Sequence, residues 1–180
     1  SPEINIDPTI AGSVVGTYWF LMMIGRLCGA SIGAKVSSRA MLTVVSTVGI
    51  VLVLGAIFCA DNILVNMPVF KSDISFGFAQ VPVNVMLLIL CGLCTSVMWG
   101  GIFNLAVEGL GKYTAAASGL FMVMVCGGGI LPLIQGGVAD FAGFLNSYWV
   151  IALGLPYILF YAAIGSKNVN TDIPTDDYEA

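Results

Sequence analysis

The sequence predicts an all-α membrane protein with five transmembrane helices. Three observations carry this reading. Of the 180 residues, 58% are hydrophobic and only 9% charged, for a mean hydropathy of +0.99. Soluble domains carry about 25% charged residues, so lipid is the expected solvent for most of this chain's surface. The apolar residues fall into five runs, each long enough at about 1.5 Å per residue to cross a hydrocarbon core of roughly 30 Å. The charges, finally, gather in connections and ends. Four of the ten acids, Asp172, Asp176, Asp177 and Glu179, stand in the last nine residues.

Residues 1–8 (SPEINIDP) read as a polar, acidic outer loop without the basic start of a signal peptide. The chain does not begin with methionine and reads as a processed or truncated piece. Residues 9–166 make up the transmembrane bundle. Span one covers about 9–34; Tyr18 and Trp19 interrupt it, and Arg26 lies inside it. Gly25, Gly29 and Gly33 recur there every four residues, a small-residue face that lets another helix backbone approach closely. The short basic loop from Lys35 to Arg39 leads into span two, about 40–60. The polar groups of that span are small hydroxyls, which bond back to their own helix, so a lipid-facing or scaffolding helix is expected.

Asp61 to Pro82 is a longer connection containing Pro68, Lys71 and Asp73, and its Phe70, Phe76 and Phe78 are expected to rest at the membrane interface. Span three, about 83–107, begins a stripe in which Gly92, Ser96, Gly100, Asn104 and Glu108 recur every four residues. On a helix this is one narrow face, small at first and polar at its end. After the charged turn Glu108 to Lys112 comes span four, about 115–135, with Gly127, Gly128, Gly129 and Pro132 as its kink. Asp140 is expected in a short connection before span five, about 147–165. Residues 167–180 form an acidic, solvated tail.

The charges orient the bundle. Lys35, Arg39, Lys112 and Lys167 follow alternate spans and share one side, against Lys71 on the other. By the positive-inside rule the first residues lie outside and the tail is cytoplasmic. Five spans that start outside without a signal peptide are natural for the last part of a larger protein. The chain has no histidine, so Ser-His-Asp and Cys-His catalysis lack their base. Its five cysteines lie in apolar runs, and the lone Cys91-x-x-Cys94 in LILCGLCTS reads as small packing residues rather than a metal or redox pair. No cofactor is expected, and the absence of a basic patch argues against nucleic acid.

WGGIFNLAVEGLGKYT at residues 99–114, followed by VCGGGILPLIQGGVAD at 125–140, resembles the C-terminal half of major facilitator superfamily transporters. The resemblance is to the sugar:proton symporter branch that holds fucose permease and bacterial glucose/galactose transporters. The loop from Gly29 to Arg39 is similar to the superfamily motif G-x-x-x-x-D-R-x-G-R-R: Gly29, Lys35 and Arg39 match, while Ala34 takes the aspartate position and Ser37 the second glycine. Gly100-Gly101 stand where the branch usually has proline-threonine. The resemblance covers about residues 9–166 and implies that the five spans are helices eight to twelve of a twelve-helix fold. It further implies a bacterial inner-membrane transporter that moves a hexose such as fucose, glucose or galactose together with a proton. Two halves would alternate access to a central site, with the proton-titrating carboxylates in the N-terminal half.

Candidate site residues follow from their places in the spans. Trp99 offers a face for a sugar ring to stack on, and Asn104 and Gln135 offer hydrogen bonds to hydroxyls; interhelical contacts are the alternative for all three. Arg26 is expensive in the membrane. It reads as a structural or gating ion pair, with substrate contact and snorkelling as alternatives. Glu108 reads either as a solvated helix end or as a cytoplasmic gate partner of Arg26, Lys35 or Arg39, paired in one state and parted in the other. Two other readings of the whole chain stay open. One is a five-span scaffold whose glycine faces serve partner helices, and the other is an exporter of another small molecule on the same fold.

Overall fold

The computed structural model describes residues 8–59, 63–70 and 75–167. The expected outer loop up to Asp7, the tail from Asn168 and the charged residues Asp61, Lys71 and Asp73 lie outside the described residues.

Helix α1 (Pro8–Gly33) is followed by α2 (Ser38–Phe58), a hairpin of β1 (Leu64–Phe70) and β2 (Phe76–Pro82), and α3 (Val83–Val107). A 3-10 turn at Gly111–Tyr113 opens α4 (Thr114–Met124), which continues into α5 (Gly127–Ala142). The short α6 (Phe144–Ser147) leads into α7 (Trp149–Phe160), which ends in a π-turn at Tyr161–Gly165. Taken as continuous segments, Ile10–Gly33, Ser38–Phe58, Val83–Val107, Gly111–Ala142 and Phe144–Gly165 are five helices long and apolar enough to cross a membrane.

The scaffold is α2. Leu42, Ser46, Gly49, Val53 and Ala56 recur at three- and four-residue steps and are all buried, the stripe of a helix held against neighbours. Leu42 and Val53 join Cys91, Cys94, Met98 and Leu105 of α3 and Ala152 and Leu155 of α7 in one apolar cluster. Cys91 and Cys94 are therefore buried free thiols in a helix-helix core. The hydroxyls of α2 turn back on their helix: Thr43 donates to the carbonyl of Arg39 at 2.8 Å and Thr47 to that of Thr43 at 2.8 Å.

On its other side α3 meets α1 through glycines. A Cβ on Gly29 would lie 2.8 Å from a methyl of Val97, and one on Gly92 would lie 2.9 Å from the ring of Tyr18. Gly25 sits against Ser96. The two backbones thus approach only because these positions carry no side chain. The stripe of α3 does not stay on one face. Gly92 and Ser96 are buried against α1, whereas Gly100, Asn104 and Glu108 are exposed. At 3.6 residues per turn a four-residue repeat drifts about 40° per step, so the stripe leaves the contact and enters the open.

Two expected connections are built differently. The stretch read as an irregular connection holds an antiparallel hairpin, in register from Leu64↔Pro82 to Phe70↔Phe76. Its alternation is legible afterwards: Met67, Val69 and Val81 are buried against Val85 and Ile89 of α3 and Ile10, Val14 and Leu21 of α1. The amide of Phe70 donates to Thr17 Oγ1 at 2.8 Å, which itself donates to Ser13 O at 2.7 Å. The Phe70 ring stacks on Phe20, centroids 5.4 Å apart. Two strands alone are marginal in water; here a helix pair supplies the covering face. The second difference is at Asp140, which lies on helix α5 rather than in a loop. Gly136 and Gly137 keep helical geometry, and the chain turns only at Gly143, whose positive φ of 96° is one that glycine adopts readily.

Replacing Gly92 by valine should lower the thermal stability of the detergent-purified protein by about 1–3 kcal/mol, the usual effect of overfilling a close contact. Gly154→Ala, where nothing lies within 4 Å of the added carbon, should leave the melting temperature unchanged in the same assay.

Candidate functional site

Polar side chains line recesses in two places. At the end where α1 passes to α2, a cleft of about 410 Å³ is lined by Arg26 of α1, Ser38 of α2, and Trp99 and Asn104 of α3. A neighbouring recess of about 570 Å³ shares Ser38 and Asn104 and adds Ser37, Arg39 and Glu108. The drift of the α3 stripe puts Asn104 in both. Its amide donates to Ser38 Oγ at 3.4 Å. Ser37 caps α2 by accepting from the amide of Ala40 at 3.3 Å.

Five of the residues singled out in the sequence, Arg26, Arg39, Trp99, Asn104 and Glu108, thus line two adjoining recesses. Their pairing differs from the expected gate. Among the described residues no carboxylate stands within ion-pairing distance of Arg26, Lys35 or Arg39. Arg39 instead donates from Nη2 to the carbonyl of Ser166 at 3.2 Å, and its Nε is buried without a partner. The guanidinium therefore ties the start of α2 to the end of the fifth span, where a cation meets carbonyls left free by the helix terminus. Lys35 is exposed on the turn after α1 and lines neither recess. Trp99 is 44% exposed and leans on α4: its ring lies 5.4 Å from Phe121, which lies 5.4 Å from Phe103.

Gln135 is elsewhere. It lines an open pocket of about 430 Å³ with Tyr18, Thr95 and Tyr148, bordered by α1, α3, α5 and the fifth span. Tyr18, Thr95 and Tyr148 were not singled out by their sequence positions as functional. The signal available was a hydroxyl inside an apolar run, which small-residue patterns mask. Gly127 to Gly129 open α5 directly after a break at Val125 and Cys126. There Gly128 N–H bonds Val125 O at 2.8 Å and Gly129 N–H bonds Cys126 O at 2.9 Å. These tight i→i−3 bonds interrupt the α ladder. Pro132, inside α5, withholds one further donor. Neither α4 nor α5 buries a residue.

Five apolar helices with polar recesses between them define a multi-pass α-helical membrane protein. No protein-family model matches the chain, and no solved structure matches it. Curated relatives do. A glucose/galactose transporter of Brucella abortus is 29% identical over 169 residues, which cover 90% of this chain and 36% of that protein. A putative glucose/galactose transporter of Helicobacter pylori is 30% identical over 169 residues, covering 91% of this chain and 37% of its own length. The L-fucose-proton symporter of Escherichia coli is 32% identical over 92 residues, 51% of this chain and 21% of that protein. The chain therefore spans little more than a third of the length of the glucose/galactose transporters it matches. It belongs to the major facilitator superfamily, in the branch of these sugar transporters, and corresponds to their C-terminal half.

Replacing Arg39 by leucine removes the charged hydrogen bond to Ser166 and should destabilise the purified protein by about 1.5 kcal/mol, read as a drop in its unfolding temperature. Arg39→Lys should recover part of the loss, because an ammonium keeps the charge but not the planar fork.

Proposed function

We propose that this chain forms the C-terminal part of a secondary transporter that carries a hexose together with a proton and makes no covalent change in it. The observation that carries the proposal is the match, over nine-tenths of the chain, to proteins named as glucose/galactose transporters. The named proton symporter among the relatives supports coupling to a proton. The distribution of charge agrees, since no carboxylate stands inside a span away from its ends. The titrating groups would then belong to the preceding half of the transporter, the principal partner of this bundle.

In this reading Trp99 and Asn104 bind sugar in the cleft beside Arg26, and Gln135 binds it nearer the opposite end of the bundle, so the three lie along one path rather than around one point. Arg26, Lys35 and Arg39 serve the cytoplasmic gate with Glu108. The recess shared by Arg39 and Glu108 represents the parted state of that gate. The break before Gly127 and the proline at Pro132 let the fourth span bend as access alternates. The membrane is the bacterial inner membrane, with the first residues outside and the tail cytoplasmic.

Sugar uptake by cells producing the full-length transporter tests this. Trp99→Ala and Asn104→Ala should each raise KM about fivefold, the loss of roughly 1 kcal/mol of binding, with unchanged amounts of protein in the membrane. Wild-type uptake by both variants would remove these residues from the path.

A further inference from the structure

Between α1 and α2 the bundle leaves a recess of another kind. Both helices pack against α3, and the space between them, floored by Leu93 and Val97 of α3, is an open groove of about 570 Å³. Cys28 and Ile32 stand in its α1 wall and Val44 in its α2 wall. Among the described residues no charged, hydroxyl or amide side chain lines it. Along α1 the groove runs from Ile24 to Ile32, about 12 Å at 1.5 Å per residue. That length fits within one leaflet of a hydrocarbon core roughly 30 Å thick.

The groove ends at the turn from α1 to α2. The amides of Lys35 and Val36 both donate to the carbonyl of Ile32, at 2.9 and 3.0 Å. The turn thus folds over the end of the α1 wall, and Val36 itself lines the groove. Lys35 to Arg39 carries two cations and no acid. Arg39 is engaged with the carbonyl of Ser166. Lys35 is exposed, and among the described residues no carboxylate pairs with it.

Two occupants have the apolar chemistry of such a groove, another helix and an acyl chain. Helices associate in lipid through small residues and interhelical hydrogen bonds. The small residues of α1 are already used, Gly25 against Ser96 and Gly29 against Val97. What remains is a wall of branched side chains without a hydrogen-bonding partner, which gives a second helix little to hold. An acyl chain needs only apolar surface, and a lysine at the end of its groove attracts an anionic headgroup.

We propose that this groove seats one acyl chain of an anionic phospholipid, drawn from the leaflet on the basic side of the bundle, with the lipid phosphate held at Lys35. The proposal rests on the membrane assignment alone and is independent of what the protein carries.

Native mass spectrometry of the full-length protein tests it, after delipidation in a neutral detergent and titration with dioleoylphosphatidylglycerol or dioleoylphosphatidylcholine. The first phosphatidylglycerol should bind about fivefold more tightly than phosphatidylcholine, the usual effect of one basic residue beside an anionic headgroup. Lys35→Gln should remove that preference and leave phosphatidylcholine binding unchanged. Cys28→Trp, which fills the groove from α1, should lose the tight phosphatidylglycerol binding event. Val44→Trp fills it from α2, at a side chain 61% exposed, and keeps the test open where Cys28→Trp fails to fold. Lysophosphatidylglycerol, with one chain, should compete, and glycerol 1-phosphate, with none, should not. Equal binding of the two lipids by the wild type, an undiminished preference in Lys35→Gln, or wild-type affinity in both tryptophan variants overturns the proposal. Competition by glycerol 1-phosphate as strong as that of the lysolipid overturns it too, since the site would then hold a phosphate rather than a lipid.

Discussion

The close approach of α1 and α3 is the contact on which the remaining structure depends. Gly25, Gly29 and Gly92 leave no room for a Cβ at the crossing, so two helices meet almost backbone to backbone. That distance brings the Tyr18 ring onto Gly92 and its hydroxyl within 3.4 Å of Thr95. Towards the start of α1 the same pair supplies the apolar floor for the hairpin, through Val14 and Leu21 on one helix and Val85 and Ile89 on the other. Towards its end the helices part, and Arg26 and Asn104 line the cleft that opens between them. In lipid there is no hydrophobic force to hold such a pair together, so van der Waals contact and hydrogen bonding must do so.

The other helices divide the work. α2 is buried along one stripe and holds α3 and α7 in a single apolar cluster. Arg39 closes that arrangement at one end by binding the carbonyl of Ser166. α4 and α5 bury nothing, and residues such as Leu120, Leu133 and Phe141 are well exposed on them. Such a surface suits hydrocarbon or the apolar face of another helix. The break at Val125 and Cys126 gives this sparsely packed span a point at which to bend.

Much of the fold was legible because lipid simplifies the problem. Where backbone groups must be satisfied within the segment, a long apolar run without charge is a helix, and the run lengths alone locate the spans. The glycine face of α1 was legible for the same reason. The hairpin was not. Leu64 to Phe70 and Phe76 to Pro82 alternate only weakly, with two prolines and with Asn66 and Gln80 on the outward face, and their burial depends on helices distant in sequence. The end of the fourth span was obscured by Gly136 and Gly137, which read as a break but remain helical. Among the candidate site residues, Asn104 and Glu108, four residues apart on the α3 stripe, line one recess. The spacing could not show that Gln135 lies in a separate pocket, because which faces of α3 and α5 meet depends on helix crossings. Tyr18, Thr95 and Tyr148 escaped notice because a single hydroxyl in an apolar run has no periodicity.

The central claim is that the bundle belongs to a transporter that moves a neutral hexose with a proton. Recording the external pH of lightly buffered, de-energised cells that produce the full-length protein tests it most directly. Addition of galactose, glucose or fucose should make the medium alkaline as protons enter with the sugar, and a protonophore should abolish the change. Uptake of the sugar with no alkaline shift would contradict proton coupling, and the absence of both uptake and shift would contradict the sugar assignment itself.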